Sequence, residues 1–195
     1  AVVDGATVTD IDGNVYPTVT IGTQVWMAAN LRTTRYSNGQ PIDYPGNDRQ
    51  AWTSNRTGAY AWYQDDERVY GAYGALYNYF AVDNTNGLCP AGWHVPSRAE
   101  WQVLQEVAGE EVAGEHLRSV STVPDAHPRW DASTRSYATN ETGFSGVPSG
   151  RRTNLQGSYQ DLGQTAYFWT STPISNAADS GVYETNLRYN RAGLG

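Results

Sequence analysis

The sequence predicts an α+β domain with early hairpins, two short helices mid-chain, long loops and late strands. Three observations carry that expectation. Residues 6–27 alternate apolar residues with turn residues, as hairpins do. One stretch, residues 97–109, carries the cap, the period and the stop of a helix together. The late runs 167–172 and 181–189 are rich in aromatic and β-branched residues. A length of 195 residues suits a single domain, 1–195, with a core of its own.

The elements follow in order. Val8 and Ile11 lead into Asp12-Gly13, a hairpin turn; Val15, Val19 and Ile21 follow, then Gly22-Thr23, then Val25-Trp26-Met27. Asp10, Asp12 and Asn14 have the look of a calcium loop, but an EF-hand needs Gly and Glu where Val15 and Ile21 stand. Residues 28–60 lose periodicity and read as a long surface segment with a turn at Ser37-Asn38-Gly39. Residues 60–80 are dense in aromatics. Their Gly-rich part, 70–77, lacks the Gly-Lys-Ser/Thr ending of a phosphate loop and reads as backbone packed closely under rings. Asp65-Asp66-Glu67 reads as a solvated turn rather than a catalytic carboxylate pair.

Ser97 and Glu100 form a capping box before the helical spacing of Trp101, Leu104 and Ala108, and Gly109 ends the helix. Pro96 and Trp101 stand where a hydrophobic staple forms. Trp93 and Val95 alternate as a short strand, so Trp93, Trp101 and Leu104 are expected in the core, with His94 turned away and bonded locally. Residues 110–119 predict a second short helix with Val112, His116 and Leu117 on one side, and 121–142 predict loop. In the last strand, Val182 and Leu187 both facing inward would break the period of two. That requires a bulge near Thr185 and leaves Tyr183 and Arg188 as the outward pair.

Composition excludes several function classes. The formal charge is -7, and all 13 basic residues are arginine, which argues against nucleic acid and against an anionic membrane surface. No stretch approaches the 18 apolar residues of a membrane span. His94, His116 and His127 lack metal-ligand spacing, and Cys89 is the single cysteine, so no internal disulfide forms. The chain holds 14 Tyr and 7 Trp against 3 Phe. Amphipathic aromatics in that excess are what binding surfaces use, because they give contact area and keep a polar handle.

Six ordered blocks then resemble a known family. They are residues 10–16, 24–31, 73–78 and 88–97, followed by Asn140-Glu141-Thr142-Gly143-Phe144-Ser145 and Tyr167-Phe168-Trp169-Thr170-Ser171-Thr172. Together they are similar to the Fibrobacter succinogenes major paralogous (FISUMP) domain. That resemblance implies a C-type-lectin-like fold with few helices and a twisted, mostly antiparallel sheet, of the group that includes formylglycine-generating enzymes. It also implies a secreted or cell-surface setting in Fibrobacter and Bacteroidetes, lipid-anchored through a larger precursor. The sequence departs from the family pattern at two places. Family members continue into a final strand near a second cysteine, so the expectation here is a last strand missing or supplied by another chain. Formylglycine chemistry needs a cysteine pair or a cysteine-bound metal, which one Cys89 does not provide.

The expectation is therefore a non-enzymatic binding or adhesion module that recognises a glycan or surface protein, without nucleic acid and without membrane insertion. A structural subunit completed by a partner strand, and a degenerate modifying enzyme or hydrolase, are the alternatives. The candidate ligand-binding residues are Trp169, Tyr183, Asn186, Arg188, Tyr189 and Arg191, on the segment from 170 to 191 and the strand before it. No cofactor is expected. Calcium stays open through Asn176, Asp179 and Glu184, although a solvated loop is the preferred reading of those three.

Overall fold

The computed structural model describes residues 6–174 and 182–195. It is α+β, with short helices and four small antiparallel sheets. The first sheet is the expected pair of hairpins: β1 (Thr7–Thr9), β2 (Val15–Ile21) and β3 (Gln24–Met27), in the order β1-β2-β3. Its first turn is tied by Asp10, which accepts from the amides of Asp12 and Asn14 at 2.9 Å and from the Tyr16 hydroxyl at 2.5 Å. Asp12 is equally committed. It accepts from the Thr34 amide at 2.6 Å and pairs with Arg35 at 2.5 Å, so these carboxylates brace the hairpin against residues 33–35. Burial alone would raise the Asp12 pKa, but the Thr34 amide, Arg35 and the two threonine hydroxyls outweigh it and hold the carboxyl at about 2.

The aromatic-dense stretch is more helical than its sequence suggests. In addition to α1 (Arg49–Ser54), it folds into α2 (Glu67–Tyr70) and α3 (Tyr79–Val82), with β4 (Tyr60–Ala61) pairing β5 (Leu76–Tyr77) between them. Two helices are expected and five α-helices are found among the described residues, because Asp48, Asp66 and Asn78 each cap a short helix through the side chain. Gly74 has φ +84, and a Cβ there would press into Asn30 and the Leu31 carbonyl. Close backbone approach is thus what the Gly-rich run supplies.

The expected central helix is α4 (Arg98–Ala108), with both halves of the capping box made and Trp101, Leu104 and Ala108 buried. The second helix, α5 (Ala113–Leu117), buries Ala113, Gly114 and Leu117 rather than the side holding Val112 and His116. His116 is half-buried and its Nδ1 lies 2.7 Å from the Ala108 carbonyl. The expected strand at 93–95 does not form. Pro90 and Pro96 flank it and supply no ladder donors, and a Gly92 turn (φ +82) precedes Trp93. Trp93 is accordingly half-exposed, not core.

The late hairpins are β6 (Arg151–Arg152) with β7 (Tyr159–Gln160), and β8 (Thr165–Pro173) with β9 (Val182–Arg188). Pairing runs without interruption from Thr165↔Arg188 to Trp169↔Glu184, so no bulge occurs at Thr185. The irregularity sits on the other strand, between Trp169 and Pro173. Thr185 and Leu187 therefore face one side with Phe168 and Ala166, while Glu184, Asn186 and Arg188 face the other with Trp169, Tyr167 and Thr165. Tyr183 and Arg188 lie on opposite faces instead of forming an outward pair.

The main core gathers Trp26, Trp101, Leu104, Leu117, Trp130, Phe144, Ala166 and Leu187 between the first sheet, α4, α5 and the inner face of β8–β9. Arg118 is buried beside it, with no carboxylate partner among the described residues. Its guanidinium donates to the carbonyls of Gly114 at 3.0 Å and Arg188 at 2.8 Å, and to the Ser136 hydroxyl. Those bonds satisfy a charge that burial otherwise penalises.

Candidate functional site

The outer face of β8–β9 forms one wall of an open cleft of about 1500 Å³. Tyr167, Trp169 and Glu184 come from that wall, and Trp93 and His94 from the loop before α4. Arg56, Tyr79 and Phe80 lie on a second side, and the loop between β6 and β7 adds Asn154, Leu155 and Gln156. Trp26, Trp101, Phe144 and Phe168 of the main core also contribute to its lining.

Trp169 and Tyr167 are each fixed at the polar edge. Trp169 Nε1 donates to the Tyr77 carbonyl at 2.8 Å. The Tyr167 hydroxyl donates to Asp161 at 2.7 Å, and burial together with that bond raises its pKa. Among the described residues no aromatic ring stacks on Trp93, Tyr167 or Trp169, whereas Trp101 meets Trp26, Phe144 and Phe168 at 4.9–5.9 Å. The Tyr167 and Trp169 rings are oriented and half-exposed, and the Arg151 guanidinium lies over Tyr167 at 4.8 Å. Such a surface accepts a flat apolar face while side chains at its rim exchange hydrogen bonds.

The polar groups of the cleft divide into spent and unspent. Glu100 accepts from the Ser97 amide at 2.7 Å and meets His94 Nε2 at 2.8 Å. Burial would raise its pKa, but the Ser97 amide and His94 prevail and lower it. Arg152 lies between the rings of Trp52 and Tyr159, at 4.6 and 4.9 Å, and donates to the carbonyls of Gly157 and Gly46. Glu184, by contrast, has no hydrogen-bond or ion-pair partner among the described residues. Cys89 lines the cleft as a free thiol whose pKa burial pushes up to about 11, which keeps it protonated and unreactive at neutral pH.

The candidate residues disperse around this geometry. Trp169 is in the cleft. Asn186 and Arg188 share its face farther along the strand, where Arg188 Nε donates to Asn186 Oδ1 at 3.0 Å. The Asn186 backbone exchanges both hydrogen bonds with Gly195. Tyr183 is on the opposite face, with its ring 4.6 Å from the Arg98 guanidinium. Tyr189 packs against the core, and Arg191 is exposed in the turn beyond β9, where its carbonyl accepts from Ser136 at 3.0 Å. Of the calcium candidates, Glu184 lines the cleft, and Asn176 and Asp179 lie outside the described residues. Among the described residues no three His, Cys, Asp or Glu side chains gather as a metal site, and no helix is long and apolar enough to cross a membrane.

A family model, the Fibrobacter succinogenes major domain, matches residues 19–193. The chain belongs to this family. The match runs from the second strand of the first sheet through the tail that follows β9, so the Fibrobacter succinogenes major domain contains every wall of the cleft. No curated protein and no solved structure matches the chain.

Sequence reasoning missed Trp93, Tyr167, Arg151 and the loop 153–158 as parts of one site. Tyr167 had a signal in the sequence, since it shares the parity of Trp169 on one strand. Trp93 and Arg151 had none, because the contacts that place them join residues far apart in the chain.

Proposed function

We propose that this domain is a non-enzymatic, lectin-like binding module, displayed outside the cell, whose cleft takes a glycan. The observation that carries this reading is the wall formed by Tyr167 and Trp169. Two rings on one strand face are held at their polar edges, and among the described residues no other ring stacks on either, while the Arg151 guanidinium lies over the Tyr167 ring. Neighbours on one strand face stand roughly 7 Å apart, so the two rings offer an extended platform rather than a single contact. Pyranose rings have a C–H face that suits the negative face of an aromatic ring, and hydroxyls that suit carboxylate and amide side chains. Glu184, Asn154 and Gln156 supply such side chains at the rim. Binding without chemistry fits the wall better than catalysis, because His94, which lines the cleft, serves the helix cap through Glu100 and bonds to no nucleophile among the described residues.

A glycan-array screen of the purified domain, with and without calcium, tests the proposal. The expected result is saturable binding to a subset of glycans. Absence of binding to every glycan under both conditions would contradict it.

A further inference from the structure

We propose that the glycan taken by the cleft carries a carboxylate, a uronic acid, and that Arg151 reads it; this rests on the glycan reading of the cleft. The chain is acidic overall, at -7, yet three arginines line the cleft against two glutamates. Two of the three are held on other rings. Arg152 is enclosed between Trp52 and Tyr159 and stands 3.5 Å from Asp65, with its Nη2 buried and unpartnered among the described residues. Arg56 lies over the Phe80 ring at 5.3 Å and donates through Nη1 to the carbonyls of Thr53 and Asn55.

Arg151 differs from both in standing on a ring of the β8 platform. Its guanidinium lies over the Tyr167 ring, 4.8 Å from the ring centroid. Nε stands 3.5 Å from Asp161, whose same oxygen already binds the Tyr167 hydroxyl, and Nη2 is 3.4 Å from Gln160. Nη1 has no partner among the described residues, and the side chain is 43% exposed. The group is thus oriented by a ring, a carboxylate and an amide, at contacts long enough to leave most of its donor capacity unspent. A planar fork held this way matches a carboxylate through two parallel N–H bonds.

The opposite end of the platform has the reverse sign. Glu184 pairs across the strands with Trp169 and is unpartnered, so it accepts from sugar hydroxyls and repels a second carboxylate. The arrangement favours an acid at the Tyr167 end and a neutral sugar at the Trp169 end. The aromatic platform between them favours a glycan over an acidic peptide as the bearer of the charge.

The test titrates the domain with oligosaccharides of hyaluronan, unsulfated chondroitin, alginate and polygalacturonate, each before and after carboxyl reduction to the neutral sugar, and with a polyglutamate peptide. At least one acidic oligosaccharide is expected to bind about tenfold tighter than its reduced form. Arg151→Gln should erase that ratio, and Arg151→Lys should keep part of it. If Arg151→Gln does not fold, the wild-type ratio in low and high salt decides: it should fall with salt, and a constant ratio would overturn the inference. Equal binding of acidic and reduced forms overturns the carboxylate and leaves the glycan reading standing. Binding to none of them overturns both, and tightest binding to polyglutamate overturns the inference in favour of an acidic peptide.

Discussion

The two faces of β8 use similar residues for opposite ends. On the inner face, Ala166 is fully buried and Phe168 packs against Trp101 and Phe144 at 5.1 and 5.8 Å. On the outer face, Tyr167 and Trp169 keep their polar edges bonded and their ring faces unstacked by other rings. An aromatic-rich composition is therefore silent on binding until parity is known. The ring itself is common to both faces, and a structural ring differs from a binding ring in what covers it.

Substitutions break or sharpen that contrast. The largest effect is expected at the inner centre: Trp101→Ala should cost about 3–5 kcal/mol of stability, through lost burial and a cavity. Denaturant unfolding checks it, and an unchanged midpoint would dissolve the inner-face account. Arg118→Met should cost about 3 kcal/mol, since it orphans the Gly114 and Arg188 carbonyls and the Ser136 hydroxyl in a buried setting. Phe168→Ala should cost roughly 3 kcal/mol and its neighbour Tyr167→Ala under about 1, the reverse order being incompatible with the parity of β8. Ser97→Ala should cost about 1 kcal/mol through the cap and leave binding intact.

A pH titration adds an arm independent of packing. The Asp12 carboxyl is depressed from an ordinary 3.8 to about 2, so its contribution is present above 3.8 and is lost as pH falls toward 2. Asp12→Asn should flatten the stability profile over that window, as thermal melts at successive pH values would record.

Legibility in the sequence followed the range of the interactions. The capping box at Ser97 and Glu100, the hairpin turns and the stop at Gly109 were readable because each is settled within a few residues. The short helices between residues 49 and 82 were not, since Asp48, Asp66 and Asn78 cap helices of four to six residues, too short to show a period. The parity of Val182 and Leu187 alone points to a bulge on β9, which does not occur. Pairing with β8 absorbs the irregularity between Trp169 and Pro173 instead. The cleft was least legible, as Trp93, Arg151 and Trp169 meet only through tertiary packing.

The most direct measurement titrates the strongest glycan from the array into wild type, Trp169→Ala and Tyr183→Ala, with folding confirmed by circular dichroism. The cleft account predicts binding weakened at least about tenfold by Trp169→Ala. Tyr183→Ala should bind as wild type does, because Tyr183 lies beneath Arg98 on the other face. Full affinity in Trp169→Ala, with binding lost in Tyr183→Ala or on changes between Tyr60 and Tyr73, would contradict it.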